Sequence, residues 1–150
     1  MAEELESVVT RLRELTEDLA VDWARPRPNR VYITVDKQNA PSLGRRLFQD
    51  FGARFATATG TDVGPELEVV YHFVFDAVGL VVNMRVRTPK NDPVLPAVTP
   101  EVPAAEWIER EIQDLLGVRF DGHPDPRRLI LADNWPEGVY PLRREDRDDA

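Results

Sequence analysis

Four residues have types and spacings suited to acid–base chemistry: Glu109, Glu111, His123 and Asp125. Two carboxylates beside an apolar helix face resemble a general acid–base pair in outline. His123-Pro124-Asp125 sets an imidazole next to a carboxylate able to orient it. A stand-alone enzyme would use His123 with Asp125 or Glu111. No nucleophile or metal-ligand set accompanies either arrangement, which turns the reading elsewhere. Arg127, Arg128, Arg143 and Arg144 follow in the chain, and a guanidinium grips a carboxylate through two parallel hydrogen bonds. The favoured reading is a clasp in which Glu109 and Glu111 hold arginines of the segment that follows.

The element that positions these carboxylates is a helix from Pro103 to Leu116. At about 100° per residue, Ala104, Ile108, Ile112, Leu115 and Leu116 share one face. Glu109 and Glu111 lie at its margins, and Arg110 points away. Gly117 suits the left-handed backbone that ends a helix. Phe120 then anchors the coil and Gly122 permits a tight turn. Nine of the 13 prolines lie between Pro89 and Pro141, so most of this third of the chain is irregular. Trp135 and Tyr140 stand there among prolines and arginines, either as an interface or as a tail packed along its own domain.

Upstream, Leu5, Val8, Val9, Leu12, Leu15 and Leu19 recur at helical spacing over residues 3–20. Strands are expected at Val31–Val35, Ala53–Thr59, Leu67–Phe75 and Leu80–Thr88, with a helix over Ala40–Phe51. The last two strands form an antiparallel hairpin around the turn Asp76–Gly79. The expected fold is a single α+β domain with a mixed, mainly antiparallel sheet of about four strands packed with helices. Its core covers 1–116, and 117–150 is an extended, proline-rich C-terminal segment of the same domain.

The 150 residues are enough to bury about two thirds of the unfolded surface. A net charge of −8 argues against nucleic acid as a partner. With no cysteine, thiolate zinc sites, disulfides and cysteine-ligated iron–sulfur clusters are excluded. Two histidines leave little for any other metal; His72, inside a strand, reads as a packed or sheet-surface residue. The start, MAEELES, lacks the apolar core of a secretory signal. No apolar run nears the ~18 residues of a membrane span, so a cytoplasmic chain is expected.

The stretch from Glu109 onward resembles the signature of the thirty-kilodalton subunit family of respiratory complex I, NADH:quinone oxidoreductase. The matching residues are Glu109, Arg110, Glu111, Asp114, Gly117, Val118, Phe120, Gly122, His123, Pro124, Asp125, Arg127, Arg128, Leu129 and Ile130. Pro141-Leu142-Arg143-Arg144 matches the family's ending, and the Val69–Arg87 hairpin and Pro103–Trp107 also fit. His-Pro-Asp also marks J-domain cochaperones, but their preceding helix is basic and this one is acidic.

The resemblance implies a peripheral-arm subunit of a proton-translocating complex, with no active site or redox centre of its own. Flavin, iron–sulfur clusters and quinone would belong to partner subunits. Those partners would be the large quinone-site subunit and neighbouring iron–sulfur subunits, at the cytoplasmic face of the plasma membrane. Two features depart from the pattern: Gln113 replaces a common aromatic, and a histidine is missing before Pro141. The ending looks more like the equivalent subunits of membrane-bound nickel–iron hydrogenases and formate hydrogenlyases, which keeps that host complex as an alternative.

Overall fold

The computed structural model describes residues 2–145; Met1 and residues 146–150, the end of the expected C-terminal segment, lie outside the described residues. Helix α1 (Ala2–Thr16) leads into strands β1 (Ala20–Arg27) and β2 (Arg30–Val35). Helix α2 (Ala40–Arg45) continues through a wider turn, closed where the Phe51 amide donates to the Arg46 carbonyl. Strands β3 (Arg54–Asp62), β4 (Glu66–Phe75) and β5 (Leu80–Pro89) follow. A short strand β6 (Val94–Pro96), helix α3 (Glu106–Leu116) and strand β7 (Arg119–Asp121) complete the order.

Strands β1 to β5 form one sheet in the order β1-β2-β5-β4-β3. Only the β2–β5 pairing is parallel, so the sheet is mixed and mainly antiparallel, as expected. The β4–β5 hairpin runs in continuous register from Glu66↔Pro89 to Phe75↔Leu80. Alternate residues of its strands (Leu67, Val69, Tyr71 and Phe73 of β4; Leu80, Val82, Met84 and Val86 of β5) enter the core. Val9 and Leu12 of α1, Leu43 of α2 and Leu47 just after it cover that face.

The sheet has one strand more than expected. Pro26 and Pro28 mask β1, because proline disfavours an inner strand but is tolerated on an edge with irregular register. Helix α1 accordingly stops at Thr16, and Leu15, read onto its buried face, is largely exposed. A second, two-stranded parallel sheet joins β6 to β7 through pairs such as Leu95↔Phe120. Strands of three residues carry no legible alternation. Their pairing brings the segment after α3 back beside the segment that precedes it.

Candidate functional site

Helix α3 carries the charged signature residues Glu109, Arg110, Glu111 and Asp114, and it is covered on more than one side. Its helical pitch of about 100° per residue divides it into three faces. Glu109, Ile112 and Leu116 turn toward the sheet and are buried. Arg110 and Asp114, also buried, turn toward the C-terminal coil. Trp107, Glu111 and Leu115 remain on a third, partly open face. The expected stripe of Ala104, Ile108, Ile112, Leu115 and Leu116 therefore straddles the core and the open face.

The clasp expected from the glutamates is not the one the structure makes. Glu109 is fully buried and, among the described residues, holds no arginine. Its carboxylate accepts the Tyr71 hydroxyl at 2.6 Å, the Val98 amide at 2.8 Å and the Thr99 amide at 3.0 Å. The Thr99 hydroxyl donates to it as well. Four donors replace the hydration that burial removes, so the charge ties α3 to β4 and to the loop after β6. Glu111 has no hydrogen-bond or ion-pair partner among the described residues, and it is half-buried.

The coil is held instead by Arg110, on a face that the apolar stripe assigns to solvent. Arg110 Nε donates to the Arg127 carbonyl and Nη2 to the Arg128 carbonyl, each at 2.9 Å. One turn on, Asp114 Oδ2 accepts three successive amides: Leu129 at 2.9 Å, Ile130 at 2.8 Å and Leu131 at 3.1 Å. Gln113, standing where the family often has an aromatic, donates to the Pro126 carbonyl at 2.8 Å. The helix thus grips the backbone of the coil, and the helical-wheel reading fails because it allows only one buried face.

Around this grip the remaining signature residues build the turn itself. Gly117 closes the helix at φ +78°. A Cβ at Gly117 would stand 2.5 Å from the Tyr140 ring, so glycine is required by backbone and by packing together. Phe120 is buried in β7, and Gly122 turns the chain at φ +82°. His123 Nε2 lies 2.9 Å from the Glu106 carbonyl, while its Nδ1 accepts the Asp125 amide at 3.0 Å. Those partners assign the proton to Nε2 and occupy both nitrogens. Pro124 is exposed beside them. Asp125 accepts Nε and Nη2 of Arg127 at 2.7 and 2.9 Å, and the Arg127 guanidinium holds its carboxyl well below the usual range. Arg110 approaches the same carboxylate at 3.5 Å.

Further along, Arg128 Nη1 donates to the carbonyls of Ala132 and Trp135 at 2.9 and 2.7 Å. The Trp135 indole donates to the Val139 carbonyl at 2.9 Å. Leu142 N–H and Arg143 Nε donate to the Leu115 and Leu116 carbonyls, satisfying acceptors that a helix end leaves open. The Arg143 guanidinium lies 4.7 Å from the Tyr140 ring centre.

Two residues outside the signature finish the strap. Asp62, at the end of β3, accepts the Arg144 amide at 2.9 Å and the Lys90 ammonium at 2.7 Å. Lys90 also reaches Glu145 at 2.8 Å. Burial pushes the Asp62 carboxyl up, but the Arg144 amide, Lys90 and the Gly64 amide outweigh it and bring it down to about 2. The only signal in sequence is the Asp-x-Gly spacing that lets Asp62 accept the Gly64 amide within the turn. His72 is bonded on the sheet, to the Thr59 hydroxyl at 2.8 Å and the Asn83 side-chain oxygen at 2.6 Å. Among the described residues no three histidine, aspartate or glutamate side chains converge as a metal site, and no helix is long and apolar enough to cross a membrane.

The match to known proteins spans most of the chain: residues 33–148 correspond to the family described as the 30 kDa subunit of respiratory-chain NADH dehydrogenase. The chain belongs to that family. An NADH-quinone oxidoreductase subunit of Rhizobium meliloti is 36% identical over 97% of this chain and 73% of its own length. Formate hydrogenlyase subunit 5 of Escherichia coli is 34% identical over 91% of this chain. This member of the 30 kDa family spans only 25% of that longer relative. A solved trypsin-resistant fragment of Nqo5 superposes with a TM-score of 0.61 at 28% identity, covering 83% of this chain and 99% of the fragment.

Proposed function

We propose that this chain is an assembly subunit in the peripheral arm of a proton-translocating NADH:quinone oxidoreductase. It helps build the quinone-reducing module at the cytoplasmic face of the plasma membrane and carries no redox centre. Flavin, iron–sulfur clusters and quinone belong to its partners, and the large quinone-site subunit and iron–sulfur subunits are its neighbours.

The observation that carries this reading is the strapped coil. Arg110 and Asp114 hold five consecutive residues, Arg127 to Leu131, through backbone groups alone. A coil fixed in that way is preorganised, and preorganisation lowers the entropy lost when a partner docks. The chemistry of a stand-alone enzyme is disfavoured by the same geometry. Both nitrogens of His123 are engaged in the turn, Asp125 is committed to arginine, and Glu111 lies on a different face of α3.

A second host fits the similarity to formate hydrogenlyase subunit 5, namely a membrane-bound nickel–iron hydrogenase or formate hydrogenlyase. Affinity purification of the tagged chain from gently solubilised native membranes, with mass spectrometry, separates the two. Flavin- and NADH-module subunits are expected; a nickel–iron large subunit would move the chain to the hydrogenase. Recovery of the chain alone would overturn the assembly role.

A further inference from the structure

The third face of α3 borders a groove whose other wall is β3, an edge strand of the large sheet. One part of it, of about 340 Å³, lies among Phe55, Trp107, Ile108 and Leu129. A second part, of about 180 Å³, extends toward Leu115 and Leu142. Ile108 and Glu111 line both, so the two parts adjoin along the helix. From Ala104 to Leu115 the helix wall is roughly 16 Å long at its usual rise per residue.

The groove is open, and its second part is mainly apolar. Trp107 is 69% exposed, Leu142 46% and Leu129 39%. An exposed tryptophan beside several apolar neighbours marks a binding surface rather than a random surface residue. Leu129 is turned outward because its backbone is held inward by Asp114. Midway along the apolar wall stands Glu111, half-buried and unpaired among the described residues. A carboxylate in that position is partly desolvated and lacks the cation that would offset the loss.

We infer that this groove receives an apolar segment of the neighbouring subunit that carries a lysine or arginine against Glu111. The inference rests on the assembly role proposed above and names the surface and the partner chemistry. The sign of the charge selects this occupant over others. Residues 146–150 have three aspartates against one arginine and are of the wrong sign. A second copy would bring together two chains of net charge −8, with no surplus of cations for Glu111.

The test compares the isolated chain with the complex purified from native membranes, by hydroxyl-radical footprinting of Trp107 and by recovery of the neighbouring subunit. In the complex, Trp107 oxidation is expected to fall several-fold relative to the isolated chain. Glu111→Lys should cut recovery of the neighbouring subunit by about tenfold or more, and Glu111→Gln by less, while both isolated variants fold normally. A complex that assembles with Trp107 still fully reactive overturns the groove and leaves the assembly role standing. Protected Trp107 with full recovery of the Glu111→Lys complex overturns the basic partner segment. Protection that appears in the isolated chain and rises with its concentration assigns the groove to a second copy and likewise overturns the inference. If no complex is recovered from membranes, both readings fall.

Discussion

Arg110 and Asp114 stand one helical turn apart on α3 and divide the backbone of the coil between them. The guanidinium takes the carbonyls of Arg127 and Arg128, and the carboxylate takes the amides of Leu129, Ile130 and Leu131. Each is charged, buried and satisfied by peptide groups, so removing either leaves several backbone dipoles without partners.

Asp114→Ala should therefore loosen the coil more than the body of the domain. Hydrogen bonds to a charged acceptor contribute about 1.5–3 kcal/mol each at most, and shared acceptors contribute less per bond, so a total of about 2–4 kcal/mol is expected. Amide exchange read by mass spectrometry should speed up over 126–131, while the β4–β5 hairpin stays protected. Uniform acceleration across the chain would contradict a local strap.

Glu109 makes a different prediction, because its partners are in the core. Burial, the Glu109 charge and their shared hydrogen bond push the Tyr71 phenol well above its usual value, so it remains a donor throughout the physiological range. Glu109→Gln replaces one acceptor oxygen with an amino group facing donors and should cost about 3 kcal/mol or more in denaturant unfolding. Tyr71→Phe removes a single donor and should cost about 1–2 kcal/mol. Equal costs for the two would mean that Tyr71 accounts for most of the site.

Acid should release the C-terminal end through Asp62. Its folded pKa, about 2, lies below the ordinary 3.8. A depressed carboxylate contributes stability that is complete above the unfolded value and is lost as pH falls toward the folded one. The contribution is about 2 kcal/mol at neutral pH and fades between pH 4 and 2. Asp62→Asn should be less stable than the parent at pH 7, and the two should converge near pH 2 in parallel urea titrations.

Gly117→Ala tests whether the coil presses on the helix end. Left-handed backbone costs a non-glycine residue about 1–2 kcal/mol, and the Tyr140 ring adds a clash at 2.5 Å. The thermal midpoint should drop accordingly. In a Tyr140→Ala background the steric part should disappear and only the backbone cost should persist.

The elements legible in sequence are those whose partners are near or whose period is long. The β4–β5 hairpin shows alternation on both sides of a four-residue turn, and Gly117 marks the end of α3 by its backbone alone. What is not legible depends on distance. Tyr71 lies 38 residues from Glu109, and Arg144 lies 82 from Asp62, with nothing local to connect them. Arg110 is misplaced by a helix wheel, which shows only which residues are polar, and a polar residue under a coil is as buried as a core one. The stretch Arg127 to Leu131 carries no pattern for the strap, since Arg110 and Asp114 use only its peptide groups.

The upstream position of the strap's anchors has a consequence for biosynthesis. Asp62, Lys90, Glu106, Arg110, Asp114 and the last carbonyls of α3 all precede the coil that they hold. A chain emerging from the ribosome in order presents this seat before the coil that fills it. The coil is then ordered by template rather than by search.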